Sequence, residues 1–226
     1  MNNLVFGGSV LIYLGIVLIM YKLFGENGLY VFTVFSTILG SIQVCKCVDI
    51  FGISTTAGNV LYAATFLVTD ILSEKYGKKA AARAVKYGLC ITFLWIIGTQ
   101  LTMVYTPNVN DYISDSLNVV FGLVPRVAIA SLIGYVCSQS IDVFLYHYIW
   151  HKTGKGSTKL WMRNNFSTLT SQAVDTIIFT TIAFWGRYPA KVFINILLTT
   201  YFFKAIVALI DTPYIYIARK ITPLEE

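Results

Sequence analysis

Apolar residues run along this chain in long blocks, broken by short polar or basic stretches. Blocks of membrane-crossing length lie near 4–24, 29–48, 57–75, 83–105, 121–149, 166–186 and 190–217. A helix needs about 20 residues to cross the hydrocarbon core, so the pattern predicts seven spanning helices. The block at 57–75 is the shortest, and the block at 121–149 is long enough to tilt or protrude. No basic residue precedes the first block and no small-x-small site follows it, so it reads as a retained helix rather than a signal peptide. No linker or low-complexity run divides the chain. The expectation is one integral membrane domain over 1–226 with an all-α, polytopic bundle fold.

The polar residues inside these blocks are patterned. Residues 138–142 read SQSID and residues 171–175 read SQAVD. At about 100° per residue, Ser131, Tyr135, Ser138, Gln139 and Asp142 share one face of the fifth block. Asn164, Asn165, Thr168, Ser171, Gln172 and Asp175 share one face of the sixth. Asn59, Ala63, Asp70 and Glu74 align in the third, and Thr200, Lys204 and Asp211 in the seventh. Each of these helices has one polar stripe and an apolar remainder, which predicts a bundle with a polar interior. An ionisable group near the bilayer centre costs roughly 2.5–3.5 kcal/mol on insertion scales, so each one needs a reason.

Composition agrees. The chain is 56% hydrophobic and 12% charged, with mean hydropathy +0.68, against roughly 25% charged residues in soluble domains. The net charge of +6 reflects topology rather than nucleic-acid binding. Lys22, Lys75, Lys78, Lys79, Arg83, Lys86, Lys152, Lys155, Lys159, Arg163, Arg219 and Lys220 fall on one side of seven crossings, and Lys46, Arg187 and Lys191 on the other. The positive-inside bias sets the N-terminus outside and the C-terminus inside.

Several residues carry two readings. Arg126 either belongs to a site or snorkels to the outer headgroups, and Glu74 is either part of a stripe or a water-exposed helix end. Asp211 precedes Thr212-Pro213, where it could serve backbone groups freed by the proline. Lys204 lies too deep for easy snorkelling, so it is either a site residue or the partner of a structural salt bridge. Asp70, Asp142 and Asp175 are either a site or helix–helix glue. Ala130, Gly134 and Ser138 read as a close-packing seam. The four cysteines lack metal-ligand spacing, and His147 and His151 mark a helix end, so neither a metal nor another cofactor is expected. Nucleophile-elbow, HExxH, P-loop and dinucleotide signatures are all missing. Asp142 with Asp175 could imitate an aspartyl enzyme, but the glycine-flanked signature of that chemistry is absent.

The run STTAGNVLYAATFLVTDILSEKYGKKAAARAV (54–85) resembles the hallmark segment of the queuosine precursor transporters, the YhhQ-type members of the vitamin uptake transporter family. The resemblance continues through PRVAIASLIGYVCSQSIDVFLY (125–146), NNFSTLTSQAVDTIIFTTIAFWG (164–186) and YFFKAIVALIDTPYIY (201–216), in the same order. It implies a six-helix family core over 29–226 with 1–28 as an additional N-terminal helix, and a likeness to the substrate-binding subunits of energy-coupling-factor transporters. It also implies a multi-pass protein of the cytoplasmic membrane that takes up 7-deazaguanines for tRNA modification, with no enzymatic activity. The residues it points to are Asp70, Arg126, Gln139, Asp142, Gln172, Asp175 and Lys204; Asn59 and Tyr135 join them from the stripes. On this reading two facing Gln–Asp pairs grip a flat heterocycle, the carboxylates accepting from its ring N–H and exocyclic amine. A secondary, proton-coupled transporter, docking to an ATP-driven module, and a homodimer all stay open at this stage.

Overall fold

The computed structural model describes residues 1–44, 46–122, 124–153, 160–186 and 189–224. The side chains at 47, 53–56, 59, 62–63, 124–125, 128, 153, 192, 207–208 and 211 lie outside that description.

The first helix, α1 (Asn2–Gln43), is broken at Gly25, whose φ of 55° and ψ of −134° suit a residue without a Cβ. Its limbs, 2–24 and 26–43, double back on each other. Gln43 Nε2 donates to the Tyr13 hydroxyl at 3.0 Å, and Asn2 Nδ2 reaches the Asp49 carbonyl at 3.1 Å. A Cβ on Gly28 would collide with the Met20 carbonyl, so the crossing is tight enough to require glycine. The first two predicted blocks are thus one helical hairpin.

The block 29–48 does not stay helical to its end. Residues 47–56 form an antiparallel pair, β1 (Cys47–Ile50) and β2 (Ile53–Thr56), with Ile50 opposite Ile53. The turn residues Phe51 and Gly52 have φ of 52° and 77°, as a two-residue hairpin turn requires. β-branched residues on both sides of Phe-Gly favour strand over helix here.

Four long helices follow, with a short one among them: α2 (Asn59–Tyr76), α3 (Lys78–Val104), α4 (Ser114–Gly122), α5 (Val124–Thr153) and α6 (Leu160–Phe184). The last helix is α7 (Ala190–Lys220), which accommodates Pro213. Gly77, at φ 83°, separates α2 from α3. α4 lies mostly between the predicted blocks 83–105 and 121–149, where no helix was expected.

α2 is the axis of the bundle. Residues 64–73 are all buried, with α1, α3, α5 and α7 packed around it. The outer helices turn Leu11, Phe93, Leu101, Phe144, Phe166 and Leu198 outward, an apolar belt fit for lipid. By length and composition α1, α3 and most of α5 (129–152) can each cross a membrane. α2 and α6 score lower because their polar side chains point inward and are shielded by neighbours. The result is a multi-pass membrane helix bundle.

Its two ends differ. At one end the α1 break, the α2–α3 junction and the last turns of α5 and α7 meet. Tyr30 donates to the Ala80 carbonyl at 3.3 Å, Lys75 Nζ to the Arg219 carbonyl at 2.9 Å, and Leu224 N to the Lys22 carbonyl at 2.8 Å. Lys22, Lys75, Lys78, Lys79, Arg83, Lys152, Arg163, Arg219 and Lys220 gather at this basic end. The β-hairpin and α4 mark the opposite, hairpin end.

Candidate functional site

The two SQxxD pentads face each other. α5 and α6 are antiparallel and closely packed, with Ala130, Gly134 and Ser138 buried along the seam. A Cβ on Gly134 would stand 2.9 Å from Asp175 Oδ1, so this glycine lets the carboxylate lie flat against α5. Across the seam the pentads exchange equivalent contacts. Ser171 Oγ donates to Asp142 Oδ1 at 2.9 Å, and Ser138 Oγ lies 3.5 Å from Asp175 Oδ1. The reciprocal pairing sets Asp142 one helical turn closer to the basic end than Asp175, about 6 Å along the axis.

Asp175 belongs to a cavity of about 110 Å³ in the hairpin half of the bundle. Lys204 from α7 ion-pairs with Asp175 at its floor, and both side chains are only 4% exposed. Thr65 of α2, Ser131 and Tyr135 of α5, and Thr92 and Trp95 of α3 complete the wall with the second limb of α1. Tyr135 packs over Gly88, where any Cβ would meet its ring and hydroxyl. The space therefore has one ion pair, a ring of hydroxyls and three large aromatics, Trp95, Tyr135 and Phe179. Such a site suits a flat, polar ligand with an apolar face.

Beneath the floor the predicted amides stay incompletely bonded. Gln139 Nε2 donates to Thr65 Oγ1 at 3.3 Å, while its Oε1 has no partner. Gln172 is fully buried, and neither of its amide atoms has a partner. A buried polar group without a hydrogen bond costs about 1–3 kcal/mol, which a polar ligand could recover.

Asp70 and Asp142 lie deeper still. Asp142 Oδ1 accepts from Ser171 Oγ at 2.9 Å, and the Asp70 carboxyl lies beside it. Asp70 Oδ2 accepts from Thr168 Oγ1 at 3.2 Å. They meet each other rather than the cavity. Arg126 sits at the hairpin end, where its guanidinium caps the last carbonyls of α6: Nε donates to Ile182 O at 2.6 Å and Nη2 to Trp185 O at 2.8 Å. Asn59 opens α2, and its side chain and that of Asp211 lie outside the described ones.

The basic end is sealed by residues whose burial the sequence did not reveal. Arg163 is fully buried and pairs with Glu74 at 3.0 Å. Glu74 also meets Arg219 at 3.3 Å and accepts from the Tyr146 hydroxyl at 2.9 Å. The Arg163 guanidinium lies 5.2 Å from the Trp150 ring centroid and 5.9 Å from that of Tyr146. Four helices are thus tied together by one carboxylate and its cations. The signal available in sequence was weak: Arg163 is a basic residue beside a basic loop, and only its spacing from Asn164 and Thr168 places it on the inward face.

Comparison with known proteins fits this picture. Residues 56–218 match the family described as "Putative vitamin uptake transporter". The chain is 40% identical over 225 residues to the "Probable queuosine precursor transporter" of Bacillus subtilis, covering 100% of this chain and 98% of the relative. It is 27% identical over 166 residues to the "Queuosine precursor transporter" of Escherichia coli, 72% of each chain. No solved structure matches the chain. The matched span runs from the last residue of β2 into the last turn of α7 and contains the paired pentads, Asp175 with Lys204 and Glu74 with Arg163; this chain belongs to the vitamin uptake transporter family.

Proposed function

We propose that the protein takes up queuosine precursors across the cytoplasmic membrane as a secondary transporter. The substrates are 7-deazaguanines such as 7-cyano-7-deazaguanine, 7-aminomethyl-7-deazaguanine or queuine. The names of the two relatives support the substrate class. The charge asymmetry supports seven spans with the basic end in the cytoplasm and the hairpin end outside.

One observation carries the mechanism: the Asp175–Lys204 pair lines a cavity in the hairpin half of the bundle, while Arg163 and Glu74 are paired and buried toward the basic end. That asymmetry is an outward-open state of an alternating-access cycle, with the site near mid-bundle. A deazaguanine offers a ring N–H and an exocyclic amine beside a carbonyl. Asp175 accepts from the two donors, and Lys204 donates to the carbonyl. Tyr135 and Trp95 cover the ring faces. The amides of Gln139 and Gln172 take up the remaining polar edge, which gives their missing hydrogen bonds a purpose.

Gln172→Leu tests this directly. An apolar side chain of similar size removes a buried amide without partners, so the empty protein gains about 1 kcal/mol of stability. Queuine uptake falls at least tenfold, because the ligand loses a bidentate partner. A variant that is both more stable and fully active contradicts the reading. Purified protein alone in liposomes sustains uptake on the secondary-transporter reading; a requirement for an ATP-driven partner would favour the energy-coupling-factor alternative.

A further inference from the structure

We propose that Asp70 and Asp142 together bind the proton that travels inward with the substrate. This rests on the uptake reading above but concerns a separate place in the molecule. Both carboxyls are buried, at 0% and 1% exposure, and Thr168 and Ser171, one turn apart on α6, hold them side by side at 3.2 and 2.9 Å. Two adjacent buried carboxylates cannot both stay ionised, so one of the two carries a proton.

The surroundings fit a single exchangeable proton. Each carboxyl is oriented by a hydroxyl from the same face of α6: Thr168 on Asp70, and Ser171 on Asp142. Asp142 Oδ2 is buried with no hydrogen-bond partner, so it is the oxygen with room to carry the proton. Charge points the same way. Around the two ion pairs, the cations Arg163, Lys204 and Arg219 face the carboxyls Glu74, Asp175, Asp70 and Asp142, while half-buried Glu26 pairs with Arg83 apart from them. One shared proton makes this set neutral.

The groups around the pair are already engaged. Toward the basic end stand Glu74 of α2, Arg163 of α6 and Arg219 of α7, bonded to one another, with Tyr146 of α5 donating to Glu74. Toward the cavity stand Asp175 of α6 and Lys204 of α7, paired. On α1 and α3, Glu26 pairs with Arg83 at the bundle edge, and Tyr21 of α1 packs on Tyr76 of α2. The pair therefore sits between the cavity and the seal. Glu74 follows Asp70 by one turn on α2, and Tyr146 follows Asp142 by one turn on α5. The proton enters from the outer cavity, is held as O–H···O⁻ between the two carboxyls, and leaves to the inner water when the seal opens. No covalent bond changes. Once it leaves, two carboxylates repel across the α2–α5 contact directly above the Glu74–Tyr146 bond.

The test uses full-length protein in liposomes, with queuine as substrate and the membrane potential clamped at zero. With one proton per substrate, each unit of inward pH gradient supports about tenfold accumulation. Wild type reaches that ratio. Asp142→Asn and Asp70→Asn still exchange labelled for unlabelled queuine but accumulate none, their ratio staying near one. Infrared spectroscopy of the same proteins shows the carbonyl stretch of a buried protonated carboxylic acid in wild type, missing in either variant. A wild type that ignores the gradient, or variants that keep the tenfold ratio, overturns the proposal; so does a band that survives both substitutions. A wild type that moves no queuine but loses its infrared band on substitution keeps the proton pair and discards the substrate.

Discussion

The two ion pairs at the heart of the bundle invite comparison. Asp175–Lys204 and Glu74–Arg163 are both buried and both join α6 to a neighbour. They differ in what lies beside them. Asp175 and Lys204 face an open cavity lined by hydroxyls and aromatics. Glu74 and Arg163 are covered by Tyr146, Trp150 and Arg219. The lesson concerns how a membrane protein closes a door. An apolar plug would give up packing over a large area on opening. A carboxylate held by cations and a hydroxyl can release its partners to inner water, which replaces each hydrogen bond. On the proposed reading, the outer pair binds and the inner pair latches.

Removing one partner from each pair sharpens this contrast most. Lys204→Met leaves Asp175 as an uncompensated buried charge, and Arg163→Met weakens the hold on Glu74 in the same way. Breaking a buried pair costs about 3–5 kcal/mol, so both variants should lose melting temperature by similar amounts. Their transport phenotypes should diverge. Lys204→Met loses queuine binding while the basic end stays shut. Arg163→Met keeps binding in detergent but admits reagents from the inside. A Ser73→Cys probe, at a position 1% exposed in the closed structure, reports this through labelling by an impermeant thiol reagent. Equal labelling of the probe in both backgrounds would erase the distinction between binder and latch.

Most of the outer pair was legible in the sequence, and most of the latch was not. Asp175 and Lys204 stand out because a charge deep inside an apolar block has no cheap explanation. The repeated SQxxD pentads likewise marked α5 and α6 as facing helices, and the reciprocal serine–aspartate contacts give that repeat its structural meaning. Glu74 and Arg163 sit within a few residues of basic loops. There hydropathy cannot tell a side chain that reaches water from one that turns inward. The 47–56 hairpin was missed for another reason: its residues are as apolar as the helix before them, and only the Phe51-Gly52 turn and the β-branched run betray it. The contact between Asp70 and Asp142 joins α2 to α5 across 72 positions. Helical periodicity puts each on an inward face but says nothing about which inward faces meet.

Smaller effects come from the glycines that let the cavity wall close up. Gly134→Ala pushes a methyl against Asp175 Oδ1. Overpacking of this kind costs about 1–3 kcal/mol, and the displaced carboxylate should weaken queuine binding several-fold. Gly88→Ala acts on the opposite wall, by driving Tyr135 from its seat. The atom nearest the new methyl is the Tyr135 hydroxyl, so adding Tyr135→Phe should restore part of the lost stability. The phenylalanine change should rescue nothing in Gly134→Ala. Thermal unfolding of the two single and two double variants reads this out. Rescue of both glycine variants would mean that Tyr135 relieves general crowding, and that the two walls act as one.

The smallest effect expected is at the hairpin end, far from both ion pairs. Asp111 is exposed and heads the turn into α4. Its Oδ1 accepts from the backbone N–H of Ile113 at 2.9 Å and of Ser114 at 2.8 Å, and its Oδ2 from Ser114 Oγ at 2.8 Å. These bonds favour the ionised carboxylate and hold it below its ordinary value of 3.8, the Ser114 N–H contributing most. The sign follows. A lowered value in the folded state means that the contribution is complete above the ordinary carboxyl range and is lost as pH falls through the folded value. Amide exchange at residues 113–117 should therefore stay slow from neutral pH down past 3.8 and quicken only below it. Asp111→Asn keeps one acceptor oxygen but no charge, so the acid step should vanish while queuine accumulation is unchanged. A loss of accumulation in this variant would tie α4 to the transport cycle and extend the moving part of the molecule beyond the pairs on α2, α6 and α7.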